Sequence, residues 1–258
     1  MSGPSQNRGI PPDFDRADLR PPSRWELIRE ARIVLERLAL GATISNLRRN
    51  APRGNGEPVM VVPGFATDDE WTARLRKFLE SIGYGVRGWG LGRNGGRVPR
   101  LVPQVIEQAE QAAEESGAPI RLIGWSLGGY LVREVARERP ELVERVITLG
   151  APIVGGPTYT ASAPMYRKRG YDLQEIAASV LEREQRPITV PVSAVYSRSD
   201  GVVAWRACID TFDNPLVVHH EVRSTHLGMV NSPRVFRLVA ELLVSTKESG
   251  AGRYEDEI

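Results

Sequence analysis

Pro119-Ile120-Arg121-Leu122-Ile123-Gly124-Trp125-Ser126-Leu127-Gly128-Gly129-Tyr130 changes its apolar period at a serine. Before the serine, Ile120, Leu122 and Ile123 make a short buried-strand signal; after it, Tyr130, Leu131, Val132, Val135 and Ala136 recur at helical spacing. Gly124-Trp125-Ser126-Leu127-Gly128 therefore sits where a strand hands over to a helix, in the Gly-x-Ser-x-Gly form of a nucleophile elbow. A serine at such a turn takes a cramped backbone conformation that lifts its Oγ clear of the sheet, and the glycines let strand and helix pass closely. The pentapeptide alone also fits a plain loop. The strand before it and the helix after it decide for the elbow.

Outward from this turn, strand and helix patterns alternate. Residues 59–62 form an apolar run, rich in valine, that ends at Pro63-Gly64, and Thr67-Asp68-Asp69-Glu70 offers a capping box to a helix reaching about residue 81. A short strand over 84–89, a helix over 101–116, the strand over 119–125, a helix over 127–139 and a strand over 145–149 follow. Further strands are expected at 188–196 and 216–222, and a closing helix at 233–244. The alternation predicts an α/β fold over 57–245, a mostly parallel sheet of about six strands with helices on both faces. Ligands of such sheets gather outside the carboxyl ends of the strands. At about 155–186 the pattern is interrupted: Gly155-Gly156-Pro157 breaks the chain, Tyr159, Tyr166 and Tyr171 follow, and one helix spans 172–184. The segment reads as a small lid insertion over the strand ends.

Residues 1–22 contain Pro4, Pro11, Pro12, Pro21 and Pro22 and are expected to form a flexible leader, with order beginning at Ser23. Ser23-Arg24-Trp25-Glu26 has the form of a capping box, and Leu27, Ala31, Val34 and Leu38 trace an apolar stripe on an amphipathic helix within 23–50. Glu26, Glu30 and Glu36 among the arginines of the opposite face favour docking on the domain; peripheral membrane contact through 23–40 is the alternative. The tail, 246–258, is charged and expected to be mobile.

With 258 residues, 41% of them hydrophobic, the chain can bury the core of one large domain. The formal net charge of +2 and the lack of long single-sign blocks argue against a nucleic-acid partner. A single cysteine, Cys208, excludes an intramolecular disulfide and a Cys-based metal site, and fits a reducing compartment. The first 22 residues lack the apolar core of a secretory signal, and no uncharged apolar run approaches ~18 residues. A cytoplasmic protein without a transmembrane segment is the expectation.

A serine hydroxyl is a poor nucleophile until an imidazole takes its proton, and the imidazole needs a carboxylate to fix its tautomer. Three histidines are available. His219 and His220 fall inside the expected strand 216–222 and read as structural, whereas His226 follows it in Ser224-Thr225-His226-Leu227-Gly228, at the strand end. Asp200, just past the preceding strand, is the preferred acid, with Asp210, Asp213 and Glu221 as competitors. Ser126, Asp200 and His226 run in the chain order expected for this elbow.

Gly124-Trp125-Ser126-Leu127-Gly128-Gly129, Ser199-Asp200-Gly201-Val202-Val203 and Thr225-His226-Leu227-Gly228 together resemble the α/β-hydrolase superfamily, in particular its small lipase and esterase members, over about residues 57–244. The resemblance implies the α/β-hydrolase fold and a serine hydrolase that cleaves carboxylic esters through an acyl-enzyme on Ser126, with no metal and no cofactor. It implies an oxyanion hole made by the backbone N–H groups of Leu127 and Phe65, the latter in Pro63-Gly64-Phe65 where relatives often carry His-Gly-X. Trp125, Trp89, Tyr159 and Tyr166, with Phe65, are the expected walls of an apolar acyl pocket for a small-molecule ester. Gly150-Ala151-Pro152-Ile153 resembles a Gly-Thr-Pro-His run of many lipases but lacks the histidine, which weakens any inference about substrate. The same triad would serve an acyltransferase or a thioesterase, and a non-catalytic ligand-binding homologue is the remaining alternative.

Overall fold

A computed structural model describes residues 9–244. The valine- and isoleucine-rich runs form six strands: β1 (Pro58–Val62), β2 (Gly85–Gly88), β3 (Ile120–Trp125), β4 (Val143–Leu149), β5 (Val192–Tyr196) and β6 (Val217–Glu221). Their order in the sheet is β2-β1-β3-β4-β5-β6, and every pairing is parallel. β3 lies between β1 and β4, with Ile123 opposite Val61 on one side and Ile147 on the other.

Alternate side chains of each strand serve two cores, because the strand period is two. Val59, Val61, Ile123, Trp125, Ile147 and Leu149 face a layer that includes α2 (Ile33–Asn50), α3 (Asp69–Ser81) and α8 (Pro233–Val244). Met60, Val62, Ile120, Leu122 and Val146 face α4 (Val98–Ser116) and α5 (Leu127–Glu138). Both faces of the central strands are therefore dry, as parallel sheets require.

Several boundaries differ from the sequence expectation for identifiable reasons. β5 begins at Val192 rather than 188, since Pro187 and Pro191 have no N–H for a ladder. The cap of α3 is Asp68, whose carboxylate accepts from Glu70 N, while Thr67 Oγ1 donates to Gly64 O instead. Residues 9–22 are not a free leader. Ile10, Phe14 and Leu19 pack with Tyr196, Val203 and Trp205, and Asp13 receives two hydrogen bonds from Arg198 at 2.5 and 2.7 Å. Prolines deny this stretch regular hydrogen bonding, but its three apolar side chains still anchor it. Residues 1–8, the start of the expected leader, and the expected tail 246–258 lie outside the described residues.

The N-terminal helix is continuous through α1 (Arg24–Ile28), a 3-10 turn (Arg29–Arg32) and α2, and the capping box at Ser23 forms. It docks on the domain, though by the opposite face from the stripe that the spacing suggested. Leu40, Leu47, Glu30 and Glu36 turn inward, while Leu27, Val34 and Leu38 are exposed. The two glutamates find backbone N–H donors on the domain, and these outweigh the apolar contact that the stripe would have made.

Between β4 and β5 lie a 3-10 turn (Gly156–Tyr159), α6 (Ala163–Lys168) and α7 (Leu173–Glu184), two helices where one was expected. Gly170, at φ 81°, separates them in a conformation few other residues adopt without strain. Buried ion pairs fasten α7 to α5. Arg133 donates to Glu184 and to Asp210, Arg137 donates to Glu184, and Arg183 donates to Glu134.

Candidate active site

Ser126 occupies the turn between β3 and α5 at φ 55°, ψ −124°, one of two non-glycine residues with positive φ among those described. The conformation costs on the order of 1–3 kcal/mol, which the surroundings must hold in place. They do so by close approach: a Cβ on Gly124 would collide with Gly128, and one on Gly128 with the carbonyl oxygen of Val62. Ser126 N donates to Leu149 O at 2.8 Å, tying the turn to the end of β4. The other strained residue, Ala66, stands beside Phe65 in the loop after β1. Buried Asn94 shapes that loop, donating through its amide to Pro63 O and accepting from Ala66 N at its carbonyl. Among the described residues, the backbone N–H groups of Phe65 and Leu127 donate to no acceptor, so both stand available near Ser126.

His226 and Asp200 are in contact. Nδ1 of His226 lies 2.7 Å from Oδ2 of Asp200, and both residues are buried. The other oxygen, Oδ1, accepts from Val202 N at 2.8 Å and Val203 N at 2.7 Å, which aims Oδ2 at the ring. With Nδ1 donating to a carboxylate, Nε2 is left as the acceptor. Burial pushes the imidazole pKa down, but the charge and hydrogen bond of Asp200 and the charge of Glu30 outweigh it, and the net shift is upward. The ring lies 5.5 Å from that of Trp125, the residue directly before Ser126. Gly150 fills the corner, since a Cβ there would stand 3.0 Å from Asp200 Oδ2 and 3.1 Å from His226 Nδ1.

The competing residues are engaged elsewhere. Asp210 is paired with Arg133 and donates its backbone N–H to His219 Nε2; Glu221 accepts from Tyr196 and pairs with Arg198; Asp213 is exposed. His220 is buried without a carboxylate, and its pKa falls to about 4. Burial pushes the Cys208 thiol up, so that it is a poor nucleophile at neutral pH. No three His, Cys, Asp or Glu side chains converge as a metal-ligand set among the described residues.

Glu30 and Glu36 are site components that the sequence reading missed. Glu30, buried in the 3-10 turn before α2, accepts from Gly201 N at 2.8 Å and His226 N at 2.9 Å through Oε1, and from Leu227 N at 2.9 Å through Oε2. One carboxylate thus joins the loop of the acid to the loop of the base. Glu36 accepts from Thr225 N and Oγ1, the residue before the histidine. Single charged residues on a surface-like helix gave no signal of this, because their partners are backbone groups far along the chain.

A cavity of about 1350 Å³ opens over Ser126, walled by Phe65, Leu127, Tyr130, Tyr166 and Val203. Of the five expected pocket aromatics, Phe65 and Tyr166 line it. Trp125 points to the opposite face of the sheet, stacks on Trp71 and donates through Nε1 to His226 O, a positioning contact. Trp89 is fully buried in the core beneath α4, its Nε1 donating to Gly92 O, and Tyr159 lines a separate cavity of about 310 Å³. Strand alternation in β3 sends Trp125 away from the mouth. Arg97, Arg100 and Arg169 stand at the rim, the last with its guanidinium 5.0 Å from the Phe65 ring.

Solved structures share this fold. The monoacylglycerol lipase of Paleococcus ferrophilus superposes with a TM-score of 0.53 at 18% identity, covering 74% of this chain and 96% of that one. Alpha/beta hydrolase domain-containing protein 10 from mouse superposes at 0.51 with 18% identity, covering 74% and 89%. The chain has the α/β-hydrolase fold. In sequence, the mitochondrial palmitoyl-protein thioesterase ABHD10 of Rattus norvegicus is 24% identical over 194 residues, 62% of this chain and 64% of the relative's length. The Mus musculus protein of the same name is 22% identical over 227 residues, 75% of each chain. No protein family model matches the chain. No helix among the described residues is long and apolar enough to cross a membrane.

Proposed function

We propose that this α/β-hydrolase-fold protein hydrolyses acyl esters or thioesters through an acyl-enzyme on Ser126. The observation that supports the reading is the 2.7 Å contact between Asp200 and His226, taken with a serine held at positive φ in the lining of the large cavity. Ser126 Oγ attacks the acyl carbonyl carbon as His226 Nε2 takes its proton, and the Leu127 and Phe65 amides stabilise the oxyanion. His226 then returns the proton to the departing alcohol or thiol. Water, deprotonated by the same imidazole, releases the acid and restores the serine. Asp200 stabilises the imidazolium in both halves. The side chains of Phe65, Leu127, Tyr130 and Tyr166 give one part of a mixed polar and apolar lining the character that suits an acyl chain.

A carboxylic ester is the substrate class that the resemblance to small lipases and esterases favours; the named activity of the rat and mouse relatives favours a thioester as the second reading. The test is turnover of a p-nitrophenyl ester and of the matching acyl thioester by the same preparation. Both rates, whichever dominates, are expected to vanish together in Ser126→Ala. A rate that survives the substitution places the chemistry elsewhere.

A further inference from the structure

The N-terminal helix separates its charges. All three acids of residues 24–50 are spent close at hand: Glu26 caps Ser23, and Glu30 and Glu36 accept backbone N–H groups of the loops that carry Asp200 and His226. The outward surface then holds Arg24, Arg29, Arg32, Arg37, Arg48 and Arg49, none of which pairs with a carboxylate among the described residues. Between them stand exposed apolar side chains, including Trp25 at 79%, Ile28 at 61%, Leu35 at 64% and Leu38 at 66%. An apolar patch of this kind beside a surface helix marks a contact that water alone does not satisfy.

We propose that the outward face of the helix spanning residues 24–50 seats on a bilayer surface that carries anionic headgroups. Apolar side chains, one of them tryptophan, flanked by arginines on a helix too charged to span are the features of an interfacial helix. The mixed charge that spoke against this in the sequence is removed by the fold, which turns the acids inward. A second copy of the chain is the poorer occupant, since two such faces would bring six arginines against six with no acid between them. The inference does not rest on the catalytic reading.

Co-sedimentation of the full chain with phosphatidylcholine vesicles, with and without phosphatidylglycerol, is the test. Pelleting only with the anionic vesicles, and less at high salt, is expected. Arg29→Gln with Arg32→Gln should weaken partitioning by about 30-fold, roughly fivefold per arginine. Leu35→Ser with Leu38→Ser should also abolish it, while an unchanged thermal transition reports that these exposed substitutions leave the fold intact. Absence of pelleting, equal pelleting with neutral vesicles, or a concentration-dependent dimer that the leucine substitutions dissolve would overturn the proposal.

Discussion

His226 is held at three points besides its ring: its N–H by Glu30, its carbonyl oxygen by Trp125 and its neighbour Thr225 by Glu36. Because Asp200 and Glu30 raise its pKa, the acid limb of kcat/KM is expected to lie above the ordinary imidazole value of about 6.5. The base must be neutral to act, so activity rises with pH through that limb. Glu30→Gln keeps much of the geometry but removes a charge, and should shift the limb to lower pH; an unshifted profile would deny the carboxylate its influence. The same upward shift means that the protonated ring favours the folded state. Its contribution is complete below the unfolded-state pKa and is lost as pH rises through the higher folded value, which denaturation midpoints on either side of that range would reveal. Strain at Ser126 has its own signature: Ser126→Gly should be more stable than Ser126→Ala by about 1 kcal/mol, since glycine alone enters φ 55° freely.

At the scale of elements, α7 is fastened rather than free. Arg133 of α5 lies buried between Glu184 of α7 and Asp210, with hydrogen bonds of 3.1 and 2.6 Å. Arg133→Ala would leave the buried Asp210 carboxylate without its cation, while Glu184 keeps Arg137, and should lower unfolding free energy by about 3–5 kcal/mol in a denaturant titration. The strands and the elbow were legible in sequence because their side chains answer to near neighbours: period two for β3, period 3.6 for α5 and glycines at the crossing. The docking face of the N-terminal helix was not. Its apolar spacing pointed one way, and only the positions of distant backbone N–H groups, brought together by folding, explain why Glu30 and Glu36 turn inward instead.

Across the whole molecule, the sheet gathers the ends of β1, β3, β5 and β6 at one rim, and with them Phe65, Ser126, Asp200 and His226. Motif order made this convergence readable, since each of these residues directly follows a recognisable strand. The acyl pocket resisted the same treatment: Trp89 and Trp125 are aromatic and close in sequence to strand ends, yet both are buried in the two cores, Trp125 by the pleat of β3 and Trp89 beneath α4. The account predicts that Ser126→Ala lowers kcat by roughly 10⁶ and Asp200→Ala by roughly 10⁴ when the triad acts as a unit. The central claim is that the Ser126 hydroxyl is the activated nucleophile. Intact-mass and peptide analysis of the folded protein after exposure to a fluorophosphonate tests it most directly. A single adduct on Ser126, absent in Ser126→Ala and accompanied by loss of ester turnover, is the predicted result; an unlabelled Ser126 in protein that still turns over ester would contradict it.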